Sequence, residues 1–211
     1  MTNFIYPIAI LNRWHLPTWL KFFRLKDTLP TAYQQVDYIE GSNSGYIPTD
    51  IYLKGTDTVK FIYKTPDTGS TTCCIFGAYR SGENNNFSLY SSGANTSAYW
   101  RYAEKLYNGV KFTNDTEFSI EFSGSNLIVN EESYETGFVL SDFTSVNPIY
   151  IGHINASASA KLRGRIYSFE IVGKYKFIPC YKKEDNTVGM YELYTKTFYP
   201  ATGTLTAGND E

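Results

Sequence analysis

"TEFSIEFSG", Thr116 to Gly124, alternates without a break: Phe118, Ile120 and Phe122 fall on one side of an extended chain, and Glu117, Ser119 and Glu121 on the other. One side belongs to a core and the other to water. Gly124 to Asn126 then reads as a hairpin turn into "LIVNEESYE". The same grammar extends in both directions. "QQVDYIEG", "SGYIPTDIYL", "TVKFIYKT", "TCCIFGAYR", "NFSLYSS", "SAYWRYAE", "NPIYIGHIN", "RGRIYSFEIVG", "YKFIPCYKK" and "VGMYELYTKTFYP" are short, rich in Tyr, Phe, Ile and Val, and separated by Gly, Asn, Asp, Ser or Thr. Strands at this spacing predict an all-β, two-sheet antiparallel sandwich. No stretch after Leu29 keeps a helical period.

Composition agrees. The chain of 211 residues has 19 Tyr and 14 Phe, which favours sheet over helix, and its length suits one domain with an appendage. A net charge of -2 provides no field to draw the whole molecule to nucleic acid or to a membrane. Cys73 and Cys74 are neighbours in a strand and point to opposite faces, so a bridge between them is not expected. With Cys180 they read as reduced, buried thiols. No metal site and no cofactor are expected, because the two histidines are far from the cysteines in sequence; Asp57, Asp67, Asp115, Asp142 and Asp185 lie on separate loops, which leaves a calcium site open but without support.

Residues 1–28 differ from the rest. They hold Trp14 and Trp19 and carry four basic residues, Arg13, Lys21, Arg24 and Lys26, against the single acid Asp27. Pro7, Arg13 and Pro17 break the apolar run, so neither a secretory signal nor a membrane span fits. Thr18 could cap a short helix in which Trp19, Leu20, Phe22 and Phe23 form an apolar side. Such a segment packs on its own domain, docks into a partner or, as the weakest of the three readings, lies in a membrane interface.

Two sets of motifs resemble a known family. "LPTAYQQVDYIEGSNSGYIPTDI" near the start, and "NPIYIGHIN", "LRGRIYSFEI" and "FIPCYKKEDNTVGMYELYTKTFYPATGTLTAG" downstream, resemble the concanavalin A-like, laminin G-like jelly-roll domains of tailed-bacteriophage and prophage structural proteins. The likeness covers Leu29 to Gly208. It implies a jelly-roll over 29–211, a place on the outer surface of a virion and often a sugar-binding role, and carries no catalytic signature. Within the closing motif, Phe177–Tyr181 and Met190–Tyr194 are expected to pair around a loop from Lys182 to Val188, with Pro200–Gly208 as a polar irregular tail over an edge. Gly189 and Gly203 read as backbone requirements. Where the family usually continues "LIVN" with Gly, this chain has Glu131, which suggests a longer loop than a two-residue turn.

The arrangement of acids and histidines in the sequence disfavours an enzyme. A glycoside hydrolase needs two carboxylates about 5 to 10 Å apart across a groove, and no strand carries a same-face acid pair two residues apart; Glu117 and Glu121 are about 13 Å apart. His15 lies in the arm and His153 at a strand end, and no phosphate-binding loop occurs. Binding fits better. Trp100, Tyr99, Arg101 and Tyr102, beside Tyr79, Arg80 and Asn85 in the Asn84–Asn86 run, offer the aromatic platform and polar groups that a sugar requires. The expected protein is a non-enzymatic virion component such as a fibre, tail or capsid-decoration piece. Its arm docks into other virion proteins, it displays a jelly-roll to a host-surface or mucosal glycan, and it forms a homo-oligomer. A purely structural role without a ligand is the alternative, favoured if Trp100 proves buried.

Overall fold

A computed structural model describes residues 29–67, 72–91, 96–154 and 160–210. The arm, with Trp14, Trp19, Leu20, Phe22 and Phe23, lies outside the described residues.

Among the described residues there are sixteen strands and no helix. In chain order they are β1 (Tyr33–Gln35), β2 (Ile39–Pro48), β3 (Val59–Lys64), β4 (Cys73–Ala78), β5 (Phe87–Ser91), β6 (Thr96–Tyr102), β7 (Lys105–Phe112) and β8 (Glu117–Phe122). Then follow β9 (Leu127–Val129), β10 (Glu132–Tyr134), β11 (Tyr150–Ile151), β12 (Arg163–Ile171), β13 (Tyr175–Lys182), β14 (Thr187–Glu192), β15 (Thr197–Pro200) and β16 (Thr202–Ala207). Every pairing is antiparallel.

One layer runs β10-β9-β8-β3-β12-β2, with β16 on the far side of β2. The other runs β4-β5-β6-β7. The expected two sheets are hydrogen-bonded into one, because the two-residue β11 pairs with the end of β2 on one side and with β4 on the other. The layers meet across aromatic rings: Phe61 of β3 on Phe76 of β4 at 5.5 Å, Phe87 of β5 on Phe122 of β8 at 4.9 Å, and Trp100 of β6 on Phe122 at 5.4 Å. Centroid separations of this size with tilted or edge-on rings are the favoured geometry for packed aromatics. The phenylalanines, with Trp100, Tyr63 and Tyr102, therefore fill the space between the layers, whereas most of the described tyrosines are partly buried or exposed.

β8 has the exposure that its alternation predicts, with Phe118, Ile120 and Phe122 buried and its outward side facing solvent. The hairpin turn after it spans Ser123 to Asn126, closed by reciprocal backbone hydrogen bonds. The next turn departs from expectation. Glu132 pairs directly with Val129, so Asn130 and Glu131 form a two-residue turn, with φ of 50° and 70°. Asn130 is anchored there by its side chain, which accepts from the Ser119 N–H at 2.8 Å. Glu131 holds a left-handed conformation with no such help, at a cost of about 1–2 kcal/mol for an L-residue. Glu131→Gly is thus expected to stabilise the fold by about 0.5–1 kcal/mol in urea unfolding. An unchanged midpoint would show that this turn carries no strain.

The closing motif forms a meander. β13 pairs with β14 from Phe177↔Glu192 to Lys182↔Thr187, so both strands reach further into the expected loop, leaving residues 183–186 as the turn. The expected irregular tail is a regular strand, β16, which pairs with β2 from Thr202↔Tyr46 to Ala207↔Ile39. Gly203 has φ of 78° at a bulge in that pairing, and a side chain there would run into the Ser44 carbonyl. The segments that carry the resemblance, farthest apart in sequence, are thus neighbours in one layer. Cys73, Cys74 and Cys180 are all buried and unbridged. Burial pushes the Cys74 and Cys180 thiols up to about 12, which keeps them protonated and unreactive at neutral pH.

Candidate functional site

The face of the β4–β7 layer that points away from the core is the strongest candidate surface. Its geometry follows from register. Phe87 pairs with Tyr102, Leu89 with Trp100 and Ser91 with Ala98, all directed inward and buried. The intervening pairs, Ser88 with Arg101 and Tyr90 with Tyr99, therefore lie on the other side of the layer, where Ser88 is buried and Arg101, Tyr90 and Tyr99 are partly buried.

Tyr90 and Tyr99 stack with ring centroids 5.1 Å apart and planes within 12° of parallel, both only partly buried. The Arg101 guanidinium lies over the Tyr79 ring at 4.9 Å, a cation–π contact. The Nε–H of Arg101 is buried without a hydrogen-bond partner. Tyr79 is fixed from behind, its carbonyl accepting from the Asn147 side chain at 2.8 Å and its N–H donating to Ile154. Arg80 and Asn85 are exposed in the loop between β4 and β5. That loop is shaped by the buried Asn86, which accepts from the Arg80 N–H at 2.8 Å and donates to the Glu83 carbonyl.

Two of the expected site residues are misplaced. Trp100 and Tyr102 are core residues, 0% and 1% exposed. The reason is the pleat, since consecutive strand residues cannot share a face. Tyr102 packs on Phe87, Phe138 and Phe143, and its hydroxyl shares its one proton between the Gly55 and Ser141 carbonyls, at 2.9 and 3.1 Å, and accepts from the Ser141 N–H at 2.8 Å. Tyr79, Tyr99 and Arg101 remain on one surface. Tyr90 joins them although its sequence context does not single it out; only the register of β5 on β6 reveals it.

Two further surfaces belong to the other layer. A groove of about 490 Å³ crosses its outer side, where Glu121, Lys60, Glu170 and Lys176 form a row over β8, β3, β12 and β13. Lys60 lies 2.8 Å from Glu121 and stands in register between the two acids. A second groove, of about 330 Å³, lies at the ends of β2, β3 and β12. Among the described residues no three His, Cys, Asp or Glu side chains gather to hold a metal. Asp57 is engaged by the Lys174 ammonium at 2.5 Å and the Lys54 N–H at 2.8 Å. The buried His153 stacks on Tyr46 at 4.7 Å.

No family model matches this chain, and a search of curated proteins finds no match to it.

Proposed function

We propose that the chain is a non-enzymatic component of a phage virion whose domain from residue 29 onward is a jelly-roll, displayed outward on the particle and binding a surface glycan. The observation that carries the binding reading is the outward tyrosine face. Tyr90 and Tyr99 offer ring surface on which a pyranose can stack, and Arg101 and Tyr79 offer donors beside it. Two findings support the rest. The all-β antiparallel scaffold is the kind such display domains use, and the motifs resembling phage structural proteins occupy adjacent strands of one layer. The salt-bridged row around Lys60 argues for a structural sheet face over a hydrolytic cleft. Residues 1–28 are the proposed anchor to other virion proteins, in a homo-oligomer.

The experiment is a glycan array probed with the full chain multimerised on beads, beside Tyr99→Ala and Tyr90→Ala. A glycan bound by the parent and about two- to tenfold more weakly by each variant is expected, since one stacked aromatic is worth about 0.5–1.5 kcal/mol. Equal binding by parent and variants would remove this face from consideration. A parent that binds nothing would leave the second reading, a ligand-free decoration or joining module, which the burial of Trp100 favours. Loss of particle incorporation on deleting residues 1–28 is the matching check on the anchor.

A further inference from the structure

We infer that the groove at the ends of β2, β3 and β12 is a second carbohydrate subsite, selective for an acidic sugar whose carboxylate is taken by Arg163. It lies on the layer opposite the tyrosine face, so either site can fail without the other.

Three cations line this groove: Lys64, Arg163 and Arg165. They are brought together by register, Arg165 lying opposite Lys64 on one side and Glu40 on the other, and Arg163 opposite Ser42. Arg163 and Arg165 are two apart on one strand and share its outward face, about 6.7 Å apart along the backbone. Two of the three charges are already matched. Lys64 holds Asp115 at 2.7 Å and Arg165 holds Glu40 at 3.3 Å. Arg165 is also fixed over the Tyr38 ring at 4.4 Å. Arg163 has no ion pair among the described residues, and its Nε–H is buried with no acceptor.

A buried donor without an acceptor has lost its hydration and recovered nothing for it. Rotating the guanidinium into the groove therefore sacrifices no hydrogen bond at Nε. The edge formed by Nε and its neighbouring Nη is a fork matched to a carboxylate. The acids of the groove, Glu40, Asp67 and Asp115, decide what else the ligand must be. A bare oxyanion such as sulfate meets their repulsion with nothing to offer in return. A uronic acid presents its carboxylate to Arg163 and hydroxyl donors to the carboxylates and to Ser42. Gly164, between the two arginines, lets β12 approach the end of β3: its φ is 91°, and a side chain there would collide with the Lys64 carbonyl.

The test is a titration of the full chain with sodium glucuronate, glucose and sodium sulfate at constant ionic strength, following the arginine Nε–H resonances by NMR and assigning that of Arg163 with Arg163→Gln. Saturable movement of the Arg163 resonance with glucuronate, and at least tenfold weaker responses to glucose and sulfate, are expected. Arg163→Gln should reduce glucuronate affinity at least tenfold, read from backbone amides of β2 and β12. An equal response to sulfate would reduce the site to an adventitious ion only. No response to glucuronate, or unchanged affinity in Arg163→Gln, would overturn it. Because the ligand selectivity is read on the parent chain, a poorly folded variant does not remove the test.

Discussion

Trp100→Ala is expected to lower unfolding stability by about 3–5 kcal/mol, the range for emptying a large aromatic site in a packed core. In a chain of this size that is a fall in Tm on the order of 10 °C. The residue is fully buried, edge-on to both Phe122 and Phe112, and thus contacts the opposite layer and its own. Trp100→Phe should cost far less. Its ring fills most of the space, and it removes an indole N–H that is buried without a partner. Denaturant unfolding of the three proteins checks this, and a loss below about 1 kcal/mol for the alanine variant would be incompatible with the packing. The result bears on function too, because glycan binding lost in Trp100→Ala reports a damaged scaffold, whereas loss in Tyr99→Ala reports a contact.

The second large effect belongs to Glu192, which is 0% exposed yet ionised. Its carboxylate accepts from the Lys176 N–H at 2.8 Å, the Tyr194 N–H at 3.1 Å, the Thr195 N–H at 2.6 Å and the Thr195 hydroxyl at 2.7 Å. Burial by itself would raise its pKa, but these donors outweigh it and hold the group below its ordinary 4.5. A carboxyl with a depressed folded pKa stabilises fully above the unfolded value, and that contribution is lost as pH falls through the folded one. Stability attributable to Glu192 should therefore be intact at pH 7 and decline below about 4.5. Glu192→Ala leaves three backbone donors unpaired and is expected to cost about 3 kcal/mol or more at neutral pH. Glu192→Gln should cost less and flatten the acid limb of stability against pH. An acid limb identical to that of the parent would show that this carboxyl does not titrate with folding.

Much of the scaffold was legible from periodicity and little of the site. β8 could be read from its alternation because one face is uniformly apolar and the other uniformly polar. β7 is not legible from pattern, because its exposed residues do not alternate with apolar ones until Val110 and Phe112. At Gly109 within it, a side chain would run into the Tyr107 ring. β16 escaped because Thr and Gly carry no hydrophobic pattern; what makes it a strand is the ladder that β2 offers. For the site, alternation already forbids Tyr99, Trp100, Arg101 and Tyr102 from sharing a surface, and heeding it splits them correctly. Tyr90 beside Tyr99 and Arg163 beside Ser42 depend on which strands pair and in what register, which one strand's pattern cannot reveal.

The pairing of β2 with β16 also governs how the molecule is made. Ser44 bonds to Thr204 across 160 residues and Glu40 to Thr206 across 166, so β2 leaves the ribosome long before its outer neighbour exists. Its inner neighbour β12 comes more than a hundred residues later as well. Non-local pairing of this kind slows folding and exposes a bare strand edge meanwhile. The nascent chain must therefore wait with β2 unpaired, and a chain interrupted before Thr202 would retain an open edge as a template for aggregation.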